Sequence, residues 1–118
     1  MAYGLFLKLD QKRWFRGDFS TTNALTGTIY TDKNEQTAKD LTGFTIKIRF
    51  HRPLHFGDFF NKLATIVVAA NGTWKYNMLQ GDTPPRGIWF VKAEISKSGD
   101  TESTLNRVEL EMLGGPSA

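Results

Sequence analysis

Asp40-Leu41-Thr42-Gly43-Phe44-Thr45-Ile46-Lys47-Ile48-Arg49-Phe50 is the stretch that decides the fold class. Phe44, Ile46, Ile48 and Phe50 alternate with Thr45, Lys47, Arg49 and His51. Successive strand side chains point to opposite faces, so this period of two makes one face apolar and leaves the other wet. A helix cannot gather those four apolar residues on one stripe. Asp40 to Gly43 supplies turn residues and no helix start. The stretch is expected to be the central strand of a sheet, with its apolar face seeding the core.

Similar segments lie on either side. Leu5, Leu7 and Leu9 alternate with Phe6, Lys8 and Asp10, and Leu25 to Thr31 alternates more loosely. His51 to Lys62 contains Pro53, Gly57 and three Phe without a clean period, and reads as a long loop. Leu63 to Ala70 and Thr73 to Leu79 flank Asn71-Gly72, the strongest hairpin signal in the chain. A two-residue turn would put Thr65, Val67 and Ala69 on the face of Trp74 and Tyr76. A three-residue turn with Gly72 left-handed in a bulge puts Ile66 and Val68 there, buries more apolar surface, and is the expected form.

Gly81 to Gly87, with Pro84-Pro85, is neither helix nor inner strand. Trp89, Val91, Ala93 and Ile95 then share an inward face. The last strand, from about Leu105 to Leu113, turns Val108, Leu110 and Met112 inward. About seven short strands and no helix predict an all-β fold, an antiparallel immunoglobulin-like β-sandwich. Residues 1–113 are expected to form a single domain and residues 114–118 a flexible tail.

Composition narrows the function. The chain has 118 residues, no cysteine, nine Phe, three Trp and three Tyr. That is enough to bury a core without disulfides, and it leaves no thiol chemistry. The net charge is +3, mild for a nucleic-acid binder, and nucleic acid is not an expected partner. Residues 1–62 hold ten Lys/Arg against six Asp/Glu, and residues 63–118 five against six, so any basic surface draws on the first half. Met1 to Leu9 lacks the basic and apolar parts of a secretion signal, and no apolar run reaches the roughly 20 residues of a membrane helix. Synthesis in a cytoplasm and no membrane partner are expected.

Candidate sites are few. Arg16-Gly17-Asp18 spells an adhesion tripeptide, but a turn before a strand needs Gly and Asp anyway. His51, His55 and Asp58 lack the spacing of a metal site, and neither metal nor cofactor is expected. Asp58, Asp82 and Glu94 are scattered, and no Ser-His-Asp elbow or phosphate-cradling loop is present, so the chain reads as a non-enzyme. Two surfaces remain. Leu54, Phe56, Phe59 and Phe60 either cap one end of the sandwich or form an exposed apolar patch. Lys12, Arg13, Trp14 and Arg16, with Lys47 and Arg49, give a basic-aromatic surface unless Trp14 is core. As contact anchors we take Trp14, Leu54, Phe56, Phe59 and Phe60, because aromatics dominate interface hot spots.

Five segments follow one another with characteristic spacing: Arg16-Gly17-Asp18, Asp40-Leu41-Thr42-Gly43, Asn71-Gly72-Thr73-Trp74-Lys75-Tyr76, Gly81-Asp82-Thr83, and Gly87-Ile88-Trp89 up to Ala93-Glu94. Together they span roughly residues 13–96. In this order the chain resembles the immunoglobulin-like N-terminal domain of phage upper baseplate proteins and related phage tail and fibre-anchoring domains. The resemblance implies a structural virion protein of a tailed bacteriophage, assembled in the host cytoplasm. It would dock copies of itself, neighbouring subunits or fibres in the tail, baseplate or neck. The alternatives are a capsid decoration protein or a carbohydrate-binding module, the latter with Trp14 and Tyr30 or Trp89 as a sugar platform.

Overall fold

The computed structural model describes residues 4–15, 24–52, 59–77 and 87–113. Its strands are β1 (Phe6–Leu9), β2 (Arg13–Phe15), β3 (Leu25–Tyr30), β4 (Thr45–His51), β5 (Phe59–Val68), β6 (Thr73–Tyr76), β7 (Gly87–Lys97), β8 (Asp100–Ser103) and β9 (Val108–Leu113). They form one sheet in the order β1-β3-β6-β5-β4-β7-β9-β2, with β8 beside β7. The fold is all-β, as expected. The sheet is mixed, however, and curls into a half-barrel. The parallel pair is β2 with β9, where Trp14 stands opposite Met112.

Two of the nine strands escaped the sequence reading, for different reasons. β2 has three residues, too few for a period to emerge, and sits in a basic-aromatic cluster. β8 shows solvent almost its whole length, so it has no apolar face to betray it. The last strand also starts later than expected, at Val108, because Leu105 and Asn106 leave the ladder to meet β1.

The central strand is where the alternation put it. Ile46, Ile48 and Phe50 are buried, while Thr45 and Arg49 face water. β5 packs on one side of β4 and β7 on the other. The turn ahead of it is tied by side chains: Asp40 Oδ1 accepts from the Thr42 N–H at 3.0 Å and from its hydroxyl at 2.7 Å. Leu41, between them, is fully buried and donates its N–H to Ala69 O at 2.9 Å.

The expected loop His51 to Lys62 is shorter than its composition suggested. His51 ends β4, and Phe59 begins β5 directly opposite it, with Phe50 opposite Phe60. Adjacent aromatics at 59 and 60 hide the period of two, and residues 53–58 lie outside the described residues. β5 is long because it serves two neighbours: residues 59–64 pair with β4 and residues 65–68 with β6.

Gly72 is left-handed, as the hairpin reading required, with φ +68°. A Cβ there would stand 2.6 Å from Ile29 O, so the site excludes side chains twice over. Ile66 faces Trp74 as expected, but the connection is one residue longer and the register shifts between Ile66 and Val68. Val67 is therefore the extra residue of a bulge, and Val68, opposite Thr73, turns out to solvent instead of inward.

One hydrophobic cluster fills the concave side, with Trp14, Trp74, Trp89 and Phe50 its largest fully buried members. The curl is fastened where β1 meets the segment before β9. Leu105 donates its N–H to Leu5 O at 2.7 Å. The Asn106 side chain accepts from the Leu7 N–H and donates to Leu7 O, both at 2.8 Å. One amide thus stands in for a neighbouring strand along an edge that would otherwise be open.

Asn106→Ala should leave the Leu7 backbone without those partners and lower stability by about 1–3 kcal/mol, seen as a lower urea midpoint and faster amide exchange at Leu7. Unchanged exchange there would mean that the edge is held elsewhere. The Asp40 carboxyl is held below its ordinary value of 3.8, first by the Thr42 hydroxyl and next by the Thr42 N–H, against an opposing desolvation, with Lys97 and then Lys39 adding smaller lowering effects. A lowered carboxyl contributes stability that is present above pH 3.8 and lost as pH falls through the lowered value. Thr42→Val should bring the Asp40 titration back toward 3.8, as read from its carboxyl carbon shift, and shrink that acid-labile contribution.

Candidate interaction surface

The aromatic residues proposed as anchors converge, but inside. Trp14 is only 1 % exposed. Its ring stacks on Phe50 at 5.7 Å between centroids and meets Tyr76 edge-on at 5.9 Å. Phe50 stacks in turn on Phe60 at 4.5 Å, and Phe60 meets Trp89 edge-on at 5.2 Å. Offset and edge-to-face contacts at these distances are the favourable geometries for aromatic pairs. The result is a continuous aromatic column from β2 through β4 and β5 to β7.

This corrects the reading of Trp14 as a surface anchor. Its strand hydrogen-bonds beside β9, and burying its ring there fills the end of the core that β2 covers. Phe60 is half-buried and packs on the cluster, so it is first a core residue. Phe59 contributes its backbone to β5 opposite His51, and its side chain lies outside the described part of the structure. Leu54 and Phe56 lie outside the described residues, as do Arg16-Gly17-Asp18, His55 and Asp58. The sugar platform loses its tryptophans, because Trp14 and Trp89 are both buried.

The basic residues beside Trp14 separate from it. Arg13 is exposed and lies 3.5 Å from Glu111. Lys47 and Arg49 stand on the outward face of β4, both against Glu94 of β7, at 3.6 and 3.5 Å. The Arg13–Glu111 pair is exposed on both sides and contributes little to stability, whereas Glu94 is only 17 % exposed between its two cations. Among the described residues no three His, Cys, Asp or Glu come together as a metal site would require, and no helix is long and apolar enough to cross a membrane.

The exposed apolar surface lies instead on β5. Phe60, Ala64 and Ile66 pack toward the cluster, while Asn61, Leu63, Thr65 and Val67 face out. Leu63 is 71 % exposed, Val67 53 % and Val68 45 %. Sequence reasoning missed this stripe because Leu63-Ala64-Thr65-Ile66-Val67-Val68 reads as an apolar run with no wet side. The period of two, applied from Phe60 onward, separates the two faces.

Phe60→Ala should cost about 3 kcal/mol, as a ring lost from a packed column does, and lower the thermal midpoint sharply. Leu63→Ser, on the outer face, should change stability by no more than about 0.5 kcal/mol. Equal effects of the two would contradict the assignment of inner and outer faces. Comparison with known proteins gives no family model that matches the chain and no curated protein that matches it.

Proposed function

We propose that this chain is a structural virion subunit of a tailed bacteriophage, a small non-enzymatic domain of the tail, baseplate or neck. Its partners in this reading are copies of itself and other virion proteins, and it uses no cofactor. The observation that carries the reading is the β5 stripe, where Leu63, Val67 and Val68 stand in water on a strand whose inner face is already satisfied. Exposed aliphatic side chains gathered on one strand suit a protein contact better than they suit catalysis. Symmetric repetition of a modest contact makes a strong assembly.

The immunoglobulin-like form of the fold belongs to the same proposal. The neighbour relations β1-β3-β6-β5 and β4-β7-β9 support that form, in which they would be the four-stranded and three-stranded layers of the sandwich. β1 and β2 would be the two halves of a first strand divided between the layers. β5 would pass from one layer to the other, which agrees with its change of partner after Ala64.

The decisive experiment uses particles of the phage that encodes the chain. Mass spectrometry of gradient-purified particles should find it in a fixed ratio to a tail protein. Leu63→Asp with Val67→Asp should preserve the circular-dichroism spectrum of the purified chain yet keep it out of the particles. Particles without the wild-type chain, or with the variant at the wild-type ratio, would refute the proposal.

A further inference from the structure

The outward face of β4 and β7 carries chemistry that the assembly reading does not use. In register, Lys47 faces Glu94, Arg49 faces Lys92 and His51 faces Phe90. Beyond β4, Asn61 of β5 stands opposite Arg49. The middle row therefore sets two cations directly opposite each other, which destabilises a sheet unless something answers them. Glu94 is shared between Lys47 and Arg49. Among the described residues neither Lys92 nor Arg107 pairs with a carboxylate.

Arg107 arrives from the segment before β9 and lays its guanidinium over the Phe90 ring, 4.6 Å from the centroid. Stacking fixes the plane of a guanidinium while its N–H edges stay available. The Phe90 and His51 rings are 5.6 Å apart, so the guanidinium stacked on Phe90 stands beside His51, next to the hollow and not in its lining. His51 registers the cations around it. Its imidazole is held below the ordinary value of 6.5 by burial first, then by the charges of Arg107, Arg49 and Lys92. Arg49, Phe50, His51, Asn61 and Lys92 line a hollow of about 390 Å³ there.

We propose that this hollow binds a dianionic phosphate group, with Arg49 and Lys92 holding its oxygens, Asn61 donating from its amide and Arg107, stacked on Phe90, adding positive charge from beside His51. The charge count selects the ligand. Lys47, Arg49, Lys92 and Arg107 oppose Glu94 and the exposed Glu109, which stands opposite Phe90, leaving two positive charges in excess. A single carboxylate would answer only one of them. A phosphate monoester carries about −1.5 to −2 at neutral pH and offers three strong acceptor oxygens, and arginine grips such oxygens two at a time.

The test titrates inorganic phosphate into the isotope-labelled full chain between pH 5.5 and 8, with sodium chloride holding the ionic strength constant. Saturable one-to-one shifts should appear at Arg49, His51 and Lys92. The His51 titration should move upward, because a bound anion offsets the cations that hold it down. Arg49→Gln with Lys92→Gln should weaken binding at least tenfold, while Lys12→Gln, away from the hollow, should change it less than twofold. These exchanges relieve a like-charge pair, and an unchanged amide spectrum elsewhere would show that the variants fold. Shifts that chloride alone reproduces, or tighter binding of polyglutamate than of phosphate, would overturn the proposal, the latter by pointing to an acidic protein surface.

Discussion

A short covalent link dictates the shape of this molecule. β1 and β2 stand at the two ends of the strand order, yet only Asp10, Gln11 and Lys12 separate them in the chain. Eight strands laid flat at the usual spacing of ~4.8 Å would hold those edges about 34 Å apart. The link from Leu9 to Arg13 reaches at most about 14 Å. The sheet must therefore curl until its first and last strands nearly meet. The link is itself pinned on both sides, since Asp10 donates its N–H to Thr26 O at 3.0 Å and Lys12 O accepts from the Glu111 N–H at 2.9 Å. The parallel pairing of β2 with β9 belongs to the same constraint, because the chain reaches the far edge without reversing.

A curled sheet needs a filling, and here the filling is aromatic. The column from Trp14 through Phe50 and Phe60 to Trp89 runs along the interior and ties together β2, the adjacent pair β4 and β5, and β7. Opposite it, Trp74 lies across Gly27, where an added Cβ would come within 2.6 Å of the indole and of Lys8 O. That glycine lets a large ring lie close against β3, where the buried Trp74 Nε1 finds no hydrogen-bond partner among the described residues. An unmet indole donor costs about 1–3 kcal/mol. Full burial of the ring, worth at least as much per side chain, offsets it.

The sequence made legible what one strand's own alternation encodes. β4 and β7 announced themselves because each has one dry and one wet face, and Asp40, Thr42 and Gly72 because turns admit few residue types there. It concealed whatever depends on a partner. β2 is a strand only because β9 lies beside it, and β8 only because β7 does. Trp14 sits among lysine and arginine in the chain and among Phe50, Tyr76 and Met112 in space, so its local sequence pointed to the surface and the fold takes it inside. Phe60 was drawn into a loop by its neighbours Phe59 and Asn61. The exposed stripe on β5 failed in the opposite direction, because valine and isoleucine look alike on either face of a strand.

The two outward surfaces share a physical property that sets them apart from the core. Leu63 and Val67 stand on β5, and Arg49 and Lys92 on β4 and β7, where the alternate residues already satisfy the interior. Exchanging them disturbs neither the ladder of backbone hydrogen bonds nor the aromatic column. Their identities are therefore free of the demands of folding, and three leucine- or valine-type side chains in water beside two cations set opposite each other, with Glu94 shared between Arg49 and Lys47, are not what stability alone would select. A sheet that curls to bury one face leaves the other to be written independently, strand by strand. That independence lets the same scaffold carry an exposed apolar stripe on one strand and a hollow lined by Arg49 and Lys92 beside it.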